Sequence, residues 1–227
     1  LHMRIPIGYC ITDDKIIIPR GFSLQKLSKI CGTNPTMCMN YNPPAMMKYK
    51  YETKFPPRDE NQEKAIRFLT CDGEFKKNEK YTQFALNLET GYGKTYCMIH
   101  SLLKMQRRCV VILHQKKIKS QWIDELRNKS TVNMDRVCNI TGQKELNAII
   151  KGDNDYDIFF VNHQSITAFA NKYGWDKVTE LFEKMDVSVK VYDEAHLCFK
   201  NILYIDFFTN VPKNYYLTAT FDRSDPK

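Results

Sequence analysis

From residue 84 onward, short apolar runs rich in β-branched residues alternate with stretches of helical spacing, and no other feature constrains the fold as tightly. The runs fall at 84–88, 109–114, 136–141, 157–162, 187–193 and 214–220. Apolar residues recur at helical spacing over 61–69, 94–105, 117–128, 165–173 and 176–185. Strands that are apolar on both faces need cover on both sides, and parallel strands need a crossover between them. The alternation therefore predicts an α/β fold: a parallel sheet with helices on both faces. Ligands of such sheets bind outside the carboxyl ends of the strands. Binding residues are expected directly after each run.

The segment before this pattern reads differently. Residues 1–55 form an irregular accessory region, and residues 56–227 the regular one. Within the first, 15–22 (KIIIPRGF) is a β-prone run stopped by Pro19 and Gly21, and 23–30 has helical spacing with Ser23 as its cap. Tyr41, Tyr49 and Tyr51, with lysines between them, suit either an aromatic and basic surface for nucleic acid or a packing extension that covers a sheet edge. The second is the preferred reading.

Composition narrows the class. The 227 residues suffice for one substantial core, and 43% hydrophobic with 26% charged residues is ordinary for a globular chain. A net charge of +8 favours an anionic partner, nucleic acid being the commonest, although plain surface solubility accounts for the charge equally well. Eight cysteines without a CxxC pair argue against a disulfide framework and for buried thiols in an intracellular protein. Cys31 and Cys38 stand seven apart with no second ligand pair, a poor basis for zinc. No apolar run approaches a membrane span, so no membrane partner is expected. Leu1 and His2, ahead of Met3, suit an expression scar.

Three strand ends carry chemistry. Thr90, Gly91, Tyr92, Gly93, Lys94 and Thr95 follow the run 84–88 and open a helix. A phosphate cradle needs glycines that turn backbone N–H groups inward, a lysine for the β/γ-phosphates, a hydroxyl for Mg²⁺ and a helix N-terminus. All are present, although Leu88 stands where the pattern GxxxxGK[ST] places glycine; a plain glycine turn is the alternative. Asp193 and Glu194 close the run 187–193, with His196 two residues on. One carboxylate at such a tip can hold the nucleotide's Mg²⁺ and its neighbour can activate water; a solvated acidic turn is the bland reading. Thr218, Ala219 and Thr220 end the last run with small hydroxyl residues, a triplet of little meaning alone.

Together, ETGYGKT, DEAH and TAT, in this order and at strand ends, resemble motifs I, II and III of superfamily 2 helicases and translocases. The resemblance covers roughly 55–225. It implies a RecA-like P-loop NTPase lobe with ATP and Mg²⁺ as cofactors. By position, Lys94 would bind the β/γ-phosphates, with Thr90, Gly91, Tyr92 and Gly93 in the cradle. Thr95 and Asp193 would hold Mg²⁺, and Glu194 would polarise the attacking water. His196, Thr218, Ala219 and Thr220 would couple nucleotide state to the grip on nucleic acid. Gln62, in RDENQEKAI, would read the adenine edge, with Asn61 in place of the usual aromatic residue. Gln115 and Lys116 in the motif Ia region, and Thr141 and Gly142 in the motif Ib region, would contact the strand backbone. For Lys116, Lys117 and Lys119 a solvated helix face is the competing reading. His114 stands where proline is common.

The Gln121–Trp122 pair is typical of the branch that holds the transcription-factor repair helicase, phage recombination helicases and the transcript-release helicase of poxviruses. With the Asn, Lys, Tyr and Ile-heavy composition, it resembles the helicases of poxviruses and other large DNA viruses. That implies work on DNA or a DNA–RNA hybrid in viral transcription, replication or repair, inside the cell or virion. A superfamily 2 motor also needs a second RecA-like lobe with an arginine finger, and the chain stops soon after motif III. It is therefore expected to be an N-terminal fragment with weak ATP hydrolysis by itself. The rival readings are an RNA helicase of DEAD/DEAH type and a non-catalytic nucleic-acid-binding scaffold with a relic ATP loop.

Overall fold

The computed structural model describes residues 43–89 and 91–219, together with 10–11, 16–17, 28–29 and 32. Cys10–Ile11 (β1) and Ile16–Ile17 (β2) pair antiparallel, the second within the β-prone run of the accessory region. Ser28 and Lys29 are helical. Cys31, Cys38, Tyr41, Thr90 and Thr220 lie outside the described residues.

The main sheet holds Gln83–Asn87 (β3), Cys109–Leu113 (β4), Val137–Asn139 (β5), Ile158–Asn162 (β6), Val189–Tyr192 (β7) and Lys213–Thr218 (β8), in the spatial order β3-β8-β7-β4-β6-β5. Every neighbouring pair is parallel. β4, β6 and β7 are buried at every residue, whereas the edge strand β3 alternates exposed and buried. That contrast is the burial expected of central and edge positions.

Helices Glu60–Thr70 (α1), Lys94–Met105 (α2) and Lys116–Lys129 (α3) cover one face. Gln143–Ile150 (α4), His163–Tyr173 (α5), Trp175–Met185 (α6) and Phe199–Phe208 (α7) belong with the other. The pleat divides the sheet between two cores: Cys109, Val111, Leu113 and Phe160 pack under α1–α3, and Val110, Ile112, Phe159 and Val161 under α4–α7. The expected α/β fold is therefore the observed one. Two helices were not legible. α4 is only eight residues long, below the span over which a 3.6-residue period shows. The sequence of α7, FKNILYIDFF, is apolar and aromatic on most sides, which erases the stripe that marks a surface helix.

Residues 43–58 run as a strap, and it does not cover a sheet edge. It passes beneath the N-terminal ends of the central strands, where Arg108 N donates to Ala45 O and Ala45 N to Ser188 Oγ. It then crosses between α2 and α3, where Thr131 N donates to Glu52 O and Tyr96 Oη to Phe55 O. Tyr51 is 3% exposed and donates to Asp157 Oδ2 at 2.8 Å, so it is an anchor and no nucleic-acid surface, whereas Tyr49 stays exposed. Asp157, fully buried, also accepts from Lys48 N at 2.9 Å and from Arg136 Nη2 at 3.2 Å. Burial pushes this carboxyl up, but these hydrogen bonds outweigh it and leave Asp157 below its ordinary range.

Candidate active site

The C-terminal ends of β3, β8 and β7 lie side by side and gather the first three sequence signals on one rim. After β3 the chain turns through Gly91 and Gly93, with φ of +84° and +86°, in the left-handed region that favours glycine. Gly93 caps α2 without a side-chain hydrogen bond, so N–H groups of the first turn remain available to an anion. Lys94 folds back, its Nζ donating to Leu88 O at 3.1 Å and lying 3.6 Å from Glu194 Oε1. Thr95 sits half-buried in the same first turn.

Across from the loop, β7 delivers Asp193, which is 8% exposed. Its Oδ1 accepts from Glu194 N at 3.0 Å and its Oδ2 from Trp122 Nε1 at 2.8 Å. Burial raises this carboxyl above its ordinary value, and the Trp122 hydrogen bond opposes the shift. Glu194 has φ +48° and ψ +51°, a conformation costly for a residue with a Cβ. The turn aims its carboxylate back at Lys94. Its Oε2 is buried without a hydrogen bond and lies 3.4 Å from His196 Nδ1. His196 Nδ1 in turn is 2.8 Å from Thr218 Oγ1 at the end of β8, so one ring bridges DEAH and the last strand. Ala219 follows directly, half-buried.

This donor set fits a magnesium nucleotide. A hard cation takes oxygen ligands, which the Thr95 hydroxyl and the Asp193 carboxylate offer. The orphaned Glu194 Oε2 is a buried acceptor suited to a water proton, and the uncapped helix end and Lys94 suit phosphate.

Gln62 is 4% exposed, and its amide links α1 to the loop: Oε1 accepts from Arg58 N at 2.9 Å and Nε2 donates to Tyr92 O at 3.1 Å. Asn61 donates to Tyr92 Oη at 2.9 Å, and the Arg58 guanidinium lies 5.8 Å from the Tyr92 ring centroid. Gln115 and Lys116 sit exposed at the tip of β4, and Thr141 and Gly142 beyond β5, on the same rim but away from the phosphate loop. Lys117 is exposed as well. Lys119 is not part of a solvated face: it is 5% exposed, donates to Ile140 O at 2.5 Å, and so ties α3 to the loop of Thr141.

A family model described as type III restriction enzyme, res subunit (ResIII), matches residues 54–223. The chain belongs to that family. It is thus a helicase-type domain of superfamily 2, in agreement with its three motifs. Transcript termination protein A18 of Yaba-like disease virus is 26% identical over 149 residues, spanning 63% of this chain and 28% of that protein. Among solved structures, a hypothetical ATP-dependent RNA helicase from Sulfolobus tokodaii superposes with a TM-score of 0.53 at 19% identity, over 75% of this chain and 48% of that one. The UvsW helicase from bacteriophage T4 gives 0.54 at 14% identity, over 92% and 73%. The chain thus spans about a quarter of the viral relative's length. Among the described residues no helix is long and apolar enough to cross a membrane.

Two side-chain partnerships in this ResIII domain were not readable from the sequence. The Trp122 indole on Asp193 is one, since nothing in a helical stripe says that a core tryptophan ends on a carboxylate. His163, 6% exposed at the start of α5, is another. Its Nε2 is 2.9 Å from Cys198 Sγ and its Nδ1 2.8 Å from Asn201 Nδ2, which fastens α5 to the segment after DEAH.

The loop geometry yields a paired test. A Cβ on Gly93 would fall 2.6 Å from Gln62 Nε2, a side chain held by two hydrogen bonds, whereas one on Gly91 meets nothing within 4 Å. Both alanines incur backbone strain of roughly 1–2 kcal/mol. Gly93→Ala also displaces Gln62 and should lower both the thermal midpoint and nucleotide affinity more than Gly91→Ala. Equal effects of the two in unfolding and nucleotide titrations would show that the Gln62 contact is unimportant.

Proposed function

We propose that the chain is the ATP-binding lobe of a nucleic-acid helicase or translocase acting on DNA or a DNA–RNA hybrid, in viral transcription, replication or repair. The observation that carries the reading is the 3.6 Å approach of Lys94 to Glu194, with Asp193 beside them, at the ends of two strands that motifs I and II predict. Lys94 and the N–H groups of Gly91, Gly93 and the first turn of α2 hold the phosphates, with Thr90 and Tyr92 completing the loop. Thr95 and Asp193 would hold Mg²⁺, which would supply neutralisation of phosphate charge. Glu194 accepts the proton of the attacking water through an oxygen that is not hydrogen-bonded by the protein. An arriving γ-phosphate competes with Glu194 for Lys94, so nucleotide binding itself frees the base. Gln62 positions the loop next to the adenine edge. His196, Thr218, Ala219 and Thr220 would couple nucleotide state to the grip on nucleic acid.

Gln115, Lys116, Thr141 and Gly142 would grip the strand backbone, so binding should be salt-sensitive and nearly indifferent to sequence. A second RecA-like lobe of the full-length protein, with an arginine finger, would complete the site. The proteins that the domain resembles include both a transcript termination protein and an RNA helicase. A panel of duplex DNA, duplex RNA and DNA–RNA hybrid therefore tests the polymer, read by binding and by stimulation of ATP hydrolysis. DNA or hybrid should bind and stimulate best; preference for duplex RNA would replace this reading with an RNA helicase. ATP hydrolysis by the full-length protein that no polymer stimulates would sink the motor.

A further inference from the structure

Trp122 enters the sequence only as half of the Gln121–Trp122 pair, yet the structure puts it in direct contact with the proposed metal ligand. It is 1% exposed, packed toward Phe160 with ring centroids 6.4 Å apart. Its indole N–H, the only polar function of the ring, donates to Asp193 Oδ2 at 2.8 Å. The other oxygen, Oδ1, accepts from Glu194 N at 3.0 Å. One donor on each oxygen fixes the plane of the carboxylate and the directions of its remaining lone pairs. Packing alone would be served by phenylalanine or leucine, which bring no donor to this buried rim.

We infer that Trp122 is the positioning residue of the metal site: its N–H locks the Asp193 carboxylate in the rotamer that presents a lone pair to the divalent cation. The inference rests on the reading of Asp193 as a Mg²⁺ ligand. Outer-sphere hydrogen bonds of this kind orient the ligating atom, and their loss typically lowers metal affinity about 10–100-fold. Trp122 is also carried by α3, whose exposed start holds Gln115 and Lys116, so the helix links the polymer end of the rim to the metal end.

The test is Trp122→Phe in the full chain, which keeps an aromatic ring and deletes the donor. Binding of a fluorescent N-methylanthraniloyl ATP is titrated with Mg²⁺, and repeated in EDTA. The Mg²⁺ concentration for half-saturation should rise by about 10–100-fold, with affinity in EDTA unchanged. An unchanged Mg²⁺ requirement would overturn the inference. So would an equal loss of affinity with and without Mg²⁺, since that is the signature of a packing defect. A second measurement avoids any folding defect at 122. The chain has two tryptophans, and the other, Trp175, stacks on Tyr204 and Phe208 away from the site. In Trp175→Phe, adding Mg²⁺ to the nucleotide-loaded protein should change Trp122 emission; a silent indole counts against the role. If the unsubstituted protein and Asp193→Asn bind nucleotide with the same indifference to Mg²⁺, the reading of Asp193 as a metal ligand fails, separately from the role of Trp122.

Discussion

Glu194→Gln is expected to abolish ATP turnover while leaving nucleotide binding in place. The substitution preserves the shape of the side chain and the left-handed turn that aims it, and removes only its ability to accept a proton. Loss of a positioned general base lowers a rate by about 10²–10⁴. Binding should hold or tighten, because the 3.6 Å approach of Lys94 to Glu194 competes with phosphate and an amide competes less well. Lys94→Ala should do the reverse, losing the phosphates and with them most of the affinity. Single-turnover hydrolysis beside nucleotide titrations separates the two. Turnover by Glu194→Gln within a factor of about ten of the unsubstituted protein would remove Glu194 as the base.

The largest effect on stability should come from the opposite end of the strands. Asp157→Ala leaves the Arg136 guanidinium, whose side chain is 10% exposed, without its buried partner, although Asp155 still reaches it at 2.6 Å from solvent. Removing one member of a buried pair costs about 3–5 kcal/mol, because the charge left behind keeps its desolvation penalty. Two strap contacts, from Lys48 N and Tyr51 Oη, converge on the same carboxylate, so residues 43–58 should loosen with it. For a domain of this size that is a fall of roughly 10 °C in the thermal midpoint. Tyr51→Phe deletes one hydrogen bond and leaves the ion pair, at about 1 kcal/mol.

The sign with pH follows from the depressed Asp157 carboxyl. Its contribution is complete above the ordinary carboxylate range and fades as pH falls through the lowered folded value. Acid should therefore destabilise the unsubstituted protein more than Asp157→Ala. Parallel stability curves between neutral and acid pH would contradict this. Nucleotide affinity of Asp157→Ala should be preserved near 25 °C, since Asp157 precedes the N-terminal end of β6 and the phosphate loop lies beyond the far end of β3.

How far the sequence alone reaches can be traced through particular residues. The central strands were visible because β4, β6 and β7 are buried on both faces, which demands largely apolar runs. The phosphate loop and the DEAH turn were visible because their chemistry needs neighbouring residues: two glycines, then lysine and threonine; aspartate, then glutamate. Local geometry fixes such groups, so spacing records them. Lys119 read as surface and is buried, because a lysine's long stem can leave a helix face and reach a carbonyl across a loop. Helices α4 and α7 escaped notice because their periodicity is too short or too uniformly apolar.

The layered fold and the chemical groups at each strand tip are thus set by short-range pattern in the chain. Tertiary structure alone decided which tips meet. The strand order β3-β8-β7 brings Lys94 to Glu194, and His196 to Thr218, across 100 and 22 residues of chain. It also seats Trp122 on Asp193, 71 residues away, and Tyr51 on Asp157, 106 away. Such contacts form only after the helices dock, because each joins groups that no helical or strand period relates. Burial then gives them their strength, since the hydrogen bonds that hold Asp193 and Asp157 act where water no longer competes.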